Sequence, residues 1–158
     1  MKIVKELIPY VIIVIIVVLL RTFIITPVRV DGDSMYPTLK DGEILILEKY
    51  SDNYKRNDIV VVTYNGEKLI KRIIALPGET ISYLDNVLYI NEKPTTDVVE
   101  DFTSDFYGIT LKENEYFVLG DNRTVSKDSR TIGPINKDDI IGKTRLRIFP
   151  LDKINIVK

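Results

Sequence analysis

The sequence contains no cysteine and no histidine among its 158 residues. These absences exclude disulfides, Ser–His–Asp triads, Cys–His pairs and zinc–thiolate sites. The 22 basic and 23 acidic residues nearly cancel, so we predict no nucleic-acid partner. We also predict no cofactor and no metal. If a serine of this chain performs acyl chemistry, lysine is the best remaining base, because a desolvated lysine can lose its proton near neutral pH.

One run of membrane-like composition lies at the N-terminus and predicts an anchor over 1–26, followed by a β-rich domain over 27–158. Residues 7–20 are almost wholly aliphatic, with lysines ahead of them and Arg21 behind. A helix of that length spans about 21 Å, which is short of the roughly 30 Å hydrocarbon core. The apolar residues 23–25 extend the run, and the flanking basic side chains can reach the bilayer surface.

Two other interpretations of this run compete with an anchor. A cleaved secretory signal permits the length, but residues 21–27 contain no small-x-small pair for cleavage. A buried core helix is the third interpretation, and the absence of a polar stripe favours lipid on every side instead. We therefore predict an uncleaved single-pass anchor in the plasma membrane, with a cytoplasmic N-terminus and the domain on the outer face.

Beyond Pro27 the hydrophobic pattern becomes typical of strands. Asn65-Gly66 and Asp85-Asn86 separate apolar runs and predict two tight hairpins, and Pro77-Gly78 ends one of the strands. Residues 91–110 are polar and rich in turn formers, and they predict a surface excursion within a hairpin and loop region of about 79–112. The fold class is therefore mostly β, with a folded or barrel-like antiparallel sheet. The predicted strands cover 43–48, 58–64, 67–76, 81–84, 87–90, 116–119, 139–142 and 145–149.

Lys71 lies within one of these predicted strands. Strand alternation places it on the same face as Leu69, Ile73 and Ala75, and such neighbours can desolvate a lysine and lower its pKa. The alternative is that this strand lies at a sheet edge, where lysine guards against aggregation. Arg72, on the opposite face, would by default form an ordinary salt bridge.

The segment 120–130 follows another apolar strand and is dense in Asp, Asn, Ser and Arg. Taken alone, this composition first indicates a solvated loop built by side-chain to backbone hydrogen bonds and carboxylate–arginine pairs. A functional site is the alternative interpretation.

Three segments together are far more specific than any one of them. Gly-Asp-Ser-Met-Tyr-Pro-Thr-Leu stands at 32–39, Lys-Arg-Ile-Ile-Ala-Leu-Pro-Gly-Glu at 71–79, and Gly-Asp-Asn-Arg-x-x-Ser-x-Asp-Ser-Arg at 120–130. In this order, after an N-terminal anchor, they resemble the type I signal peptidases, and most closely the small Gram-positive form. The resemblance covers nearly the whole chain and implies a mostly β catalytic domain on the outer face of the membrane.

The resemblance implies roles for individual residues. Ser34 matches the nucleophile, Lys71 the general base that deprotonates it, and Ser126 a hydroxyl residue that positions the lysine. Two family ion pairs that hold the site loops match Asp121 with Arg72 and Asp128 with Arg130. The implied substrate-binding residues are Gly32, Asp33, Met35 and Ile70.

The resemblance also implies the substrate and the reaction. Exported preproteins would be cut after a small residue that has another small residue two positions upstream. The cleavage region would add as a strand beside 28–34 and 68–71, and an acyl-enzyme would form on Ser34. Some relatives carry a serine with an oxyanion hydroxyl where this chain has Gly32, so the oxyanion would rest mainly on backbone N–H groups, with that of Ser34 the obvious donor.

Two functions from other classes remain as alternatives. A self-cleaving repressor shares serine–lysine chemistry, but it should carry a DNA-reading helix-turn-helix where this chain has its apolar run. A non-catalytic β domain tethered to the membrane is the second, although inactive relatives typically lose the serine or the lysine and this chain has both.

Overall fold

The computed structural model describes residues 2–23, 25–49 and 53–157, and it combines one long helix with a mostly antiparallel β body. Helix α1 spans Lys2–Phe23 and contains Pro9. The side chains described in this helix, 6–18, are all exposed. Within the described part of the chain, no helix combines the length and the apolar character of a membrane span. The predicted anchor over 1–26 covers this helix, and its residues 1 and 24 lie outside the described residues.

The strands of the described residues form two antiparallel sheets. The larger sheet has the order β1-β2-β11-β3-β4-β9-β10, with β12 paired to β11, and the smaller has the order β7-β6-β5-β8. The bounds are β1 Ile25–Arg29, β2 Ile44–Glu48, β3 Ile59–Tyr64, β4 Glu67–Ala75, β5 Thr80–Leu84, β6 Val87–Ile90, β7 Lys93–Thr95, β8 Phe106–Thr110, β9 Glu115–Leu119, β10 Ile135–Asn136, β11 Ile140–Phe149 and β12 Asn155–Ile156. A short helix, α2, spans Ser129–Ile132.

Both predicted tight hairpins are confirmed, and their turn residues explain them. Asn65 and Gly66 join β3 to β4 with φ angles of +49° and +82°, and Asp85 and Asn86 join β5 to β6 with +49° and +62°. Two consecutive residues with positive φ match the twist of antiparallel strands, and Asn, Asp and Gly adopt that conformation at the lowest cost.

Some predicted boundaries were wrong. The strands predicted over 139–142 and 145–149 form one strand, β11, whose pairing with β2 and β3 accommodates register shifts. The polar segment 91–110 is not only a surface excursion, because β7 and β8 lie in it and Thr103 is fully buried. Four short elements with weak alternation, β1, β10, β12 and α2, were also not predicted.

The core lies between the sheets and along the faces of the larger one. Strands β3, β4 and β9 are buried on both faces over most of their length, which agrees with their nearly continuous apolar sequences. Phe117 of β9 stacks on Phe106 of β8, with ring centroids 5.3 Å apart, and joins the smaller sheet to the larger. Strand β4 is internal to the larger sheet, between β3 and β9, and its buried part supports the side chains that it carries.

Candidate active site

Ser34 lies in the turn-rich segment between β1 and β2. Met35 and Leu39, 1% and 0% exposed, anchor this segment in the core, and the backbone N–H of Leu39 donates to the carbonyl of Met35 at 2.8 Å. The N–H of Tyr36 donates to the carbonyl of Asp33 at 3.1 Å. With its neighbour buried, Ser34 itself stays half-buried and points its hydroxyl toward β4.

Lys71 of β4 meets this hydroxyl. Its Nζ donates to Ser34 Oγ at 2.8 Å and to the carbonyl of Ile70 at 2.9 Å. The lysine is only 2% exposed, and burial lowers its pKa to about 8, against the opposing charges of Asp128 and Asp121. A lysine with this pKa is partly neutral at physiological pH and can accept a proton from the serine.

The open part of β4 explains why Lys71 can reach a substrate although the strand is internal. β4 pairs with β3 from Glu67 onward, whereas its pairing with β9 begins only at Arg72. The residues before Arg72 therefore border a cleft on the side where β9 would continue. The alternative of an aggregation-guarding lysine on an edge strand does not describe this position, because Lys71 is buried.

The predicted partners Asp121 and Arg72 form a buried ion pair. Arg72 donates from Nε to Oδ1 at 2.8 Å and from Nη2 to Oδ2 at 2.6 Å, and both residues are 1% exposed. Such a two-point contact fixes both position and orientation. It joins β4, immediately after Lys71, to the segment 120–130.

The predicted partners Asp128 and Arg130 also meet. Asp128 Oδ1 accepts from Arg130 Nε at 2.9 Å, while Oδ2 accepts from Arg130 Nη2 at 2.9 Å and from the backbone N–H of Gly120 at 3.0 Å. Asp128 also caps α2, because its side chain accepts from the Arg130 N–H. One fully buried carboxylate therefore closes the segment 120–130 into a compact loop.

Gly120 and Asn122 of this loop contact the backbone carbonyl of Ser34. The backbone N–H of Asn122 donates to the carbonyl of Ser34 at 3.1 Å. A Cβ added at Gly120 would lie 2.4 Å from that carbonyl oxygen and 2.1 Å from Ser126 Oγ, so only glycine fits. Asn122 was not predicted as a site residue, because its contribution through the backbone N–H leaves no signal in the side chain.

Ser126 has a different environment from the one that the resemblance implies. Its Oγ is buried beside Gly120 and has no hydrogen-bond partner among the described residues. The structure therefore places the hydroxyl near the site without a hydrogen bond to Lys71, and a positioning role for Ser126 stays a prediction.

The predicted substrate-binding residues line two cavities that share Ser34 and Lys71. A cavity of about 270 Å³ is bordered by residues 28–31 and 68–71 and includes Met35. A cavity of about 520 Å³ includes Gly32 and Asp33. Gly32 has a φ of +78°, where glycine is favoured, and its N–H already donates to Asp41 Oδ1 at 2.9 Å.

Comparison with known proteins assigns this chain to a family. Residues 3–149 match the family model described as signal peptidase, peptidase S26. Signal peptidase I P of Bacillus subtilis subsp. natto is 41% identical over 164 residues, which cover 91% of this chain and 88% of that protein. Signal peptidase I T of Bacillus subtilis (strain 168) is 37% identical, with 94% of this chain and 86% of that protein covered.

A solved structure agrees with these relatives. The crystal structure of a signal peptidase I from Enterococcus faecalis V583 matches with a TM-score of 0.52 and 34% identity, covering 58% of this chain and 97% of that one. The chain belongs to the signal peptidase family S26, which confirms the resemblance, and it is a serine peptidase, a hydrolase.

Substitution of Gly120 by alanine tests the close packing behind Ser34. We expect Gly120→Ala to lower the peptidase rate by about a hundredfold, because the new Cβ must displace the carbonyl of Ser34 and with it the side chain. The rate would be measured on a preprotein, with the folded fraction followed by circular dichroism. Gly108→Ala, whose added Cβ would lie 3.3 Å from Thr80 Cγ2, is the matched control and should keep full activity. A folded Gly120→Ala protein within tenfold of wild type would contradict the account.

Proposed function

We propose that this protein is a membrane-anchored endopeptidase that removes N-terminal signal peptides from exported preproteins through an acyl-enzyme on Ser34, with Lys71 as general base. The observation that carries the proposal is the 2.8 Å contact between Lys71 Nζ and Ser34 Oγ at a buried lysine. Membership of the signal peptidase family supports the removal of signal peptides as the reaction.

The proposed first step transfers a proton. Neutral Lys71 takes the proton of Ser34 as the serine oxygen attacks the scissile carbonyl, and then gives it to the leaving amine. Water hydrolyses the ester with Lys71 again as base. With a pKa of about 8, roughly a tenth of the lysine is neutral at pH 7. Arginine could not replace it, because a guanidinium stays charged at any working pH.

The two ion pairs reduce the electrostatic effect of the Asp121 and Asp128 carboxylates on Lys71. The carboxylates of Asp121 and Asp128 raise the pKa of Lys71, which opposes the effect of burial. Each of them is held by an arginine, at 2.6 Å for Arg72 and 2.9 Å for Arg130. Burial has the larger effect on the pKa of Lys71, so part of the base is neutral near neutral pH. The positive charges of the two arginines act in the same direction as burial, because they offset the carboxylates.

The substrate would bind as an extended strand. β1 pairs with β2 along one side, and β4 borders the cleft before Arg72, so both can offer backbone groups to a peptide between them. The cavity of about 270 Å³ between these strands includes Val28, Val30 and Met35. Its lining combines these apolar side chains with polar ones that include Ser34 and Lys71. We propose cleavage after small-x-small residues because the resemblance to the signal peptidases implies it.

The oxyanion would be stabilised by the backbone. The N–H of Gly32 is already used by Asp41, and glycine has no hydroxyl to offer. The backbone N–H of Ser34 is therefore the proposed donor to the developing negative charge. The contact from the N–H of Asn122 to the Ser34 carbonyl orients this part of the backbone.

Helix α1 is the proposed anchor. A helix of 22 residues is about 33 Å long, and the large apolar side chains described in it are about half exposed. We propose a single pass through the plasma membrane, with the N-terminus in the cytoplasm and the catalytic domain on the outer face. This arrangement would present the cleft to preproteins as they emerge from the membrane.

Removal of either member of the dyad tests the proposed function. We expect Ser34→Ala and Lys71→Ala each to lower preprotein processing by a thousandfold or more. Acyl transfer uses both the nucleophile and the base, and removal of one such group typically lowers the rate by at least about 10³. Mass spectrometry of the products would locate a cut after a small-x-small site with wild type only. Ser82→Ala, at a partly exposed position, and Lys112→Ala, at an exposed one, both away from the cleft, should process normally. Turnover within tenfold of wild type in either dyad variant would refute the assignment.

The pH dependence tests the base separately. Because the neutral amine is the active form and its pKa is about 8, kcat/KM should rise with pH through about 8 and then level off. At pH 6 the rate should be about a hundredfold below the plateau. Lys112→Gln should leave the profile unchanged. A rate independent of pH from about 6 to 10 would contradict lysine as the titrating base.

Membrane extraction tests the anchor. We expect the full chain to stay in the membrane pellet after an alkaline carbonate wash, and external protease to digest the β body in intact spheroplasts. Ile13→Arg should weaken retention, since a central arginine costs roughly 2.5 to 3.5 kcal/mol on insertion. Tyr107→Arg, at an 84% exposed position outside α1, is the control. Release of the wild-type protein by carbonate would rule out a spanning anchor.

A further inference from the structure

Arg123 is a buried cation for which the proposed mechanism has no use. Its side chain is 0% exposed although it belongs to the loop 120–130. It forms a two-point ion pair with Asp97, from Nη1 to Oδ2 at 2.7 Å and from Nη2 to Oδ1 at 2.9 Å. Burying a guanidinium is unfavourable unless its donors are satisfied, so a cation at this position calls for a structural or functional reason.

The other donors of Arg123 are also satisfied, and by two separate parts of the fold. Its Nε donates to the carbonyl of Gly120 at 3.0 Å, within its own loop. Its Nη1 donates to Thr103 Oγ1 at 2.8 Å, and its guanidinium lies 5.9 Å from the ring centre of Tyr83. The Tyr83 hydroxyl donates in turn to Asp97 at 2.8 Å. Burial opposes the charge, but the hydrogen bond and the charge of Asp97 raise the pKa of Arg123.

The partners of Arg123 belong mainly to the connecting segment 96–105, which joins β7 to β8 in the smaller sheet. Asp101 Oδ2 also accepts from the backbone N–H of Arg123 at 3.0 Å. The segment is itself held by the β5–β6 turn, because Asn86 accepts from the Thr103 N–H at 2.9 Å and Asp105 accepts from the Asp85 N–H at 3.0 Å. A continuous set of hydrogen bonds therefore runs from the smaller sheet to Arg123.

The same backbone continues to the nucleophile. Gly120, whose carbonyl accepts from Arg123, packs against the carbonyl of Ser34 with no room for a Cβ. Asn122, the residue before Arg123, donates to that carbonyl at 3.1 Å. On the other side, Arg130 Nη2 donates to the Arg123 carbonyl at 2.6 Å. A shift of Arg123 would therefore move both groups that contact the backbone of Ser34.

We propose that Arg123, held by Asp97 and the connecting segment 96–105, is a positioning residue for the Ser34–Lys71 site, and that the smaller sheet serves as the scaffold of the active-site loop. The proposal rests on the proposed function. The smaller sheet, which contributes no side chain to the proposed dyad, would then have a structural role in the active site.

Replacement of the planar Arg123 guanidinium by a lysine ammonium tests the proposal. Arg123→Lys keeps the cation, but an ammonium cannot reproduce the planar fork that holds Asp97, Thr103 and the Gly120 carbonyl at once. We expect kcat on a preprotein to fall by about 10- to 100-fold with KM nearly unchanged, because the cleft between β1 and β4 is not altered. The rising limb of the pH profile should also move to lower pH. The carboxylates of Asp121 and Asp128 raise the pKa of Lys71, and displacement of the loop that carries them would move them away from the lysine and lower its pKa.

A second arginine–carboxylate pair provides the control. Arg147, which is partly buried, donates from Nη1 to both carboxylate oxygens of the buried Glu43, at 2.7 and 2.8 Å, away from the loop 120–130. Arg147→Lys should lower the thermal midpoint comparably and leave both kcat and the pH profile at their wild-type values. Asp97→Asn, with the same kinetic readouts, takes the place of Arg123→Lys if that protein is not folded at the assay temperature.

The outcomes separate the proposal from the function on which it rests. A lower kcat and a shifted pH limb in a folded Arg123→Lys or Asp97→Asn protein would support a positioning role. A lower thermal midpoint with kcat and pH limb unchanged would overturn it, because Arg123 would then contribute only to stability. No processing by the wild-type protein, with Arg147→Lys equally inactive, would refute the proposed function instead.

Discussion

The contact between Lys71 and Ser34 imposes the main constraint on this structure. An amine that accepts a proton near neutral pH must be desolvated, and burial in β4 lowers its pKa from 10.5 to about 8. This change means that the site disfavours the charged form, relative to the neutral form, by about 3 kcal/mol more than water does. The strand that carries it must therefore be internal and still border a cleft. The late start of the β4–β9 pairing, at Arg72, meets both requirements.

The charges around Lys71 also affect whether it can act as a base. The site loop brings two carboxylates, Asp121 and Asp128, and unpaired carboxylates close to an amine would favour its protonated form. Each carboxylate instead holds an arginine and also helps to shape the loop. The ion pairs thus have two effects in our account, since they fix the backbone behind Ser34 and moderate the field at Lys71.

The features that could be predicted from sequence were the local ones. Alternation and Asn-Gly or Asp-Asn turns identified the β3–β4 and β5–β6 hairpins, and the resemblance of three short segments identified the family. The ion pairs Asp121–Arg72 and Asp128–Arg130 followed from the same resemblance, and the structure brings each pair together. Whether these residues act as the family pattern implies is still part of the proposal.

The features that escaped prediction depend on long-range contacts or on the backbone alone. Strand β8 is largely exposed and its five residues show no regular alternation of apolar and polar side chains, so only its pairing with β5 defines it. Arg123 forms hydrogen bonds with partners that lie 20 to 40 positions away in the sequence, and no local sequence pattern predicts such contacts. The role of Asn122 uses its N–H, which every residue except proline has. Ser126 is partly buried with its hydroxyl inside the protein, and composition could not distinguish this position from a solvated loop.

The most direct test of the central claim is an NMR titration of the Lys71 side chain in the detergent-solubilised full chain. Lysine labelled with ¹³C at Cε would be followed from pH 6 to 11, with the resonance assigned by its absence in Lys71→Ala. Our account predicts a midpoint near 8 for the wild-type protein, set apart from the exposed lysines. A midpoint at the ordinary lysine value of about 10.4 would contradict it, because Lys71 would then be almost fully charged at working pH.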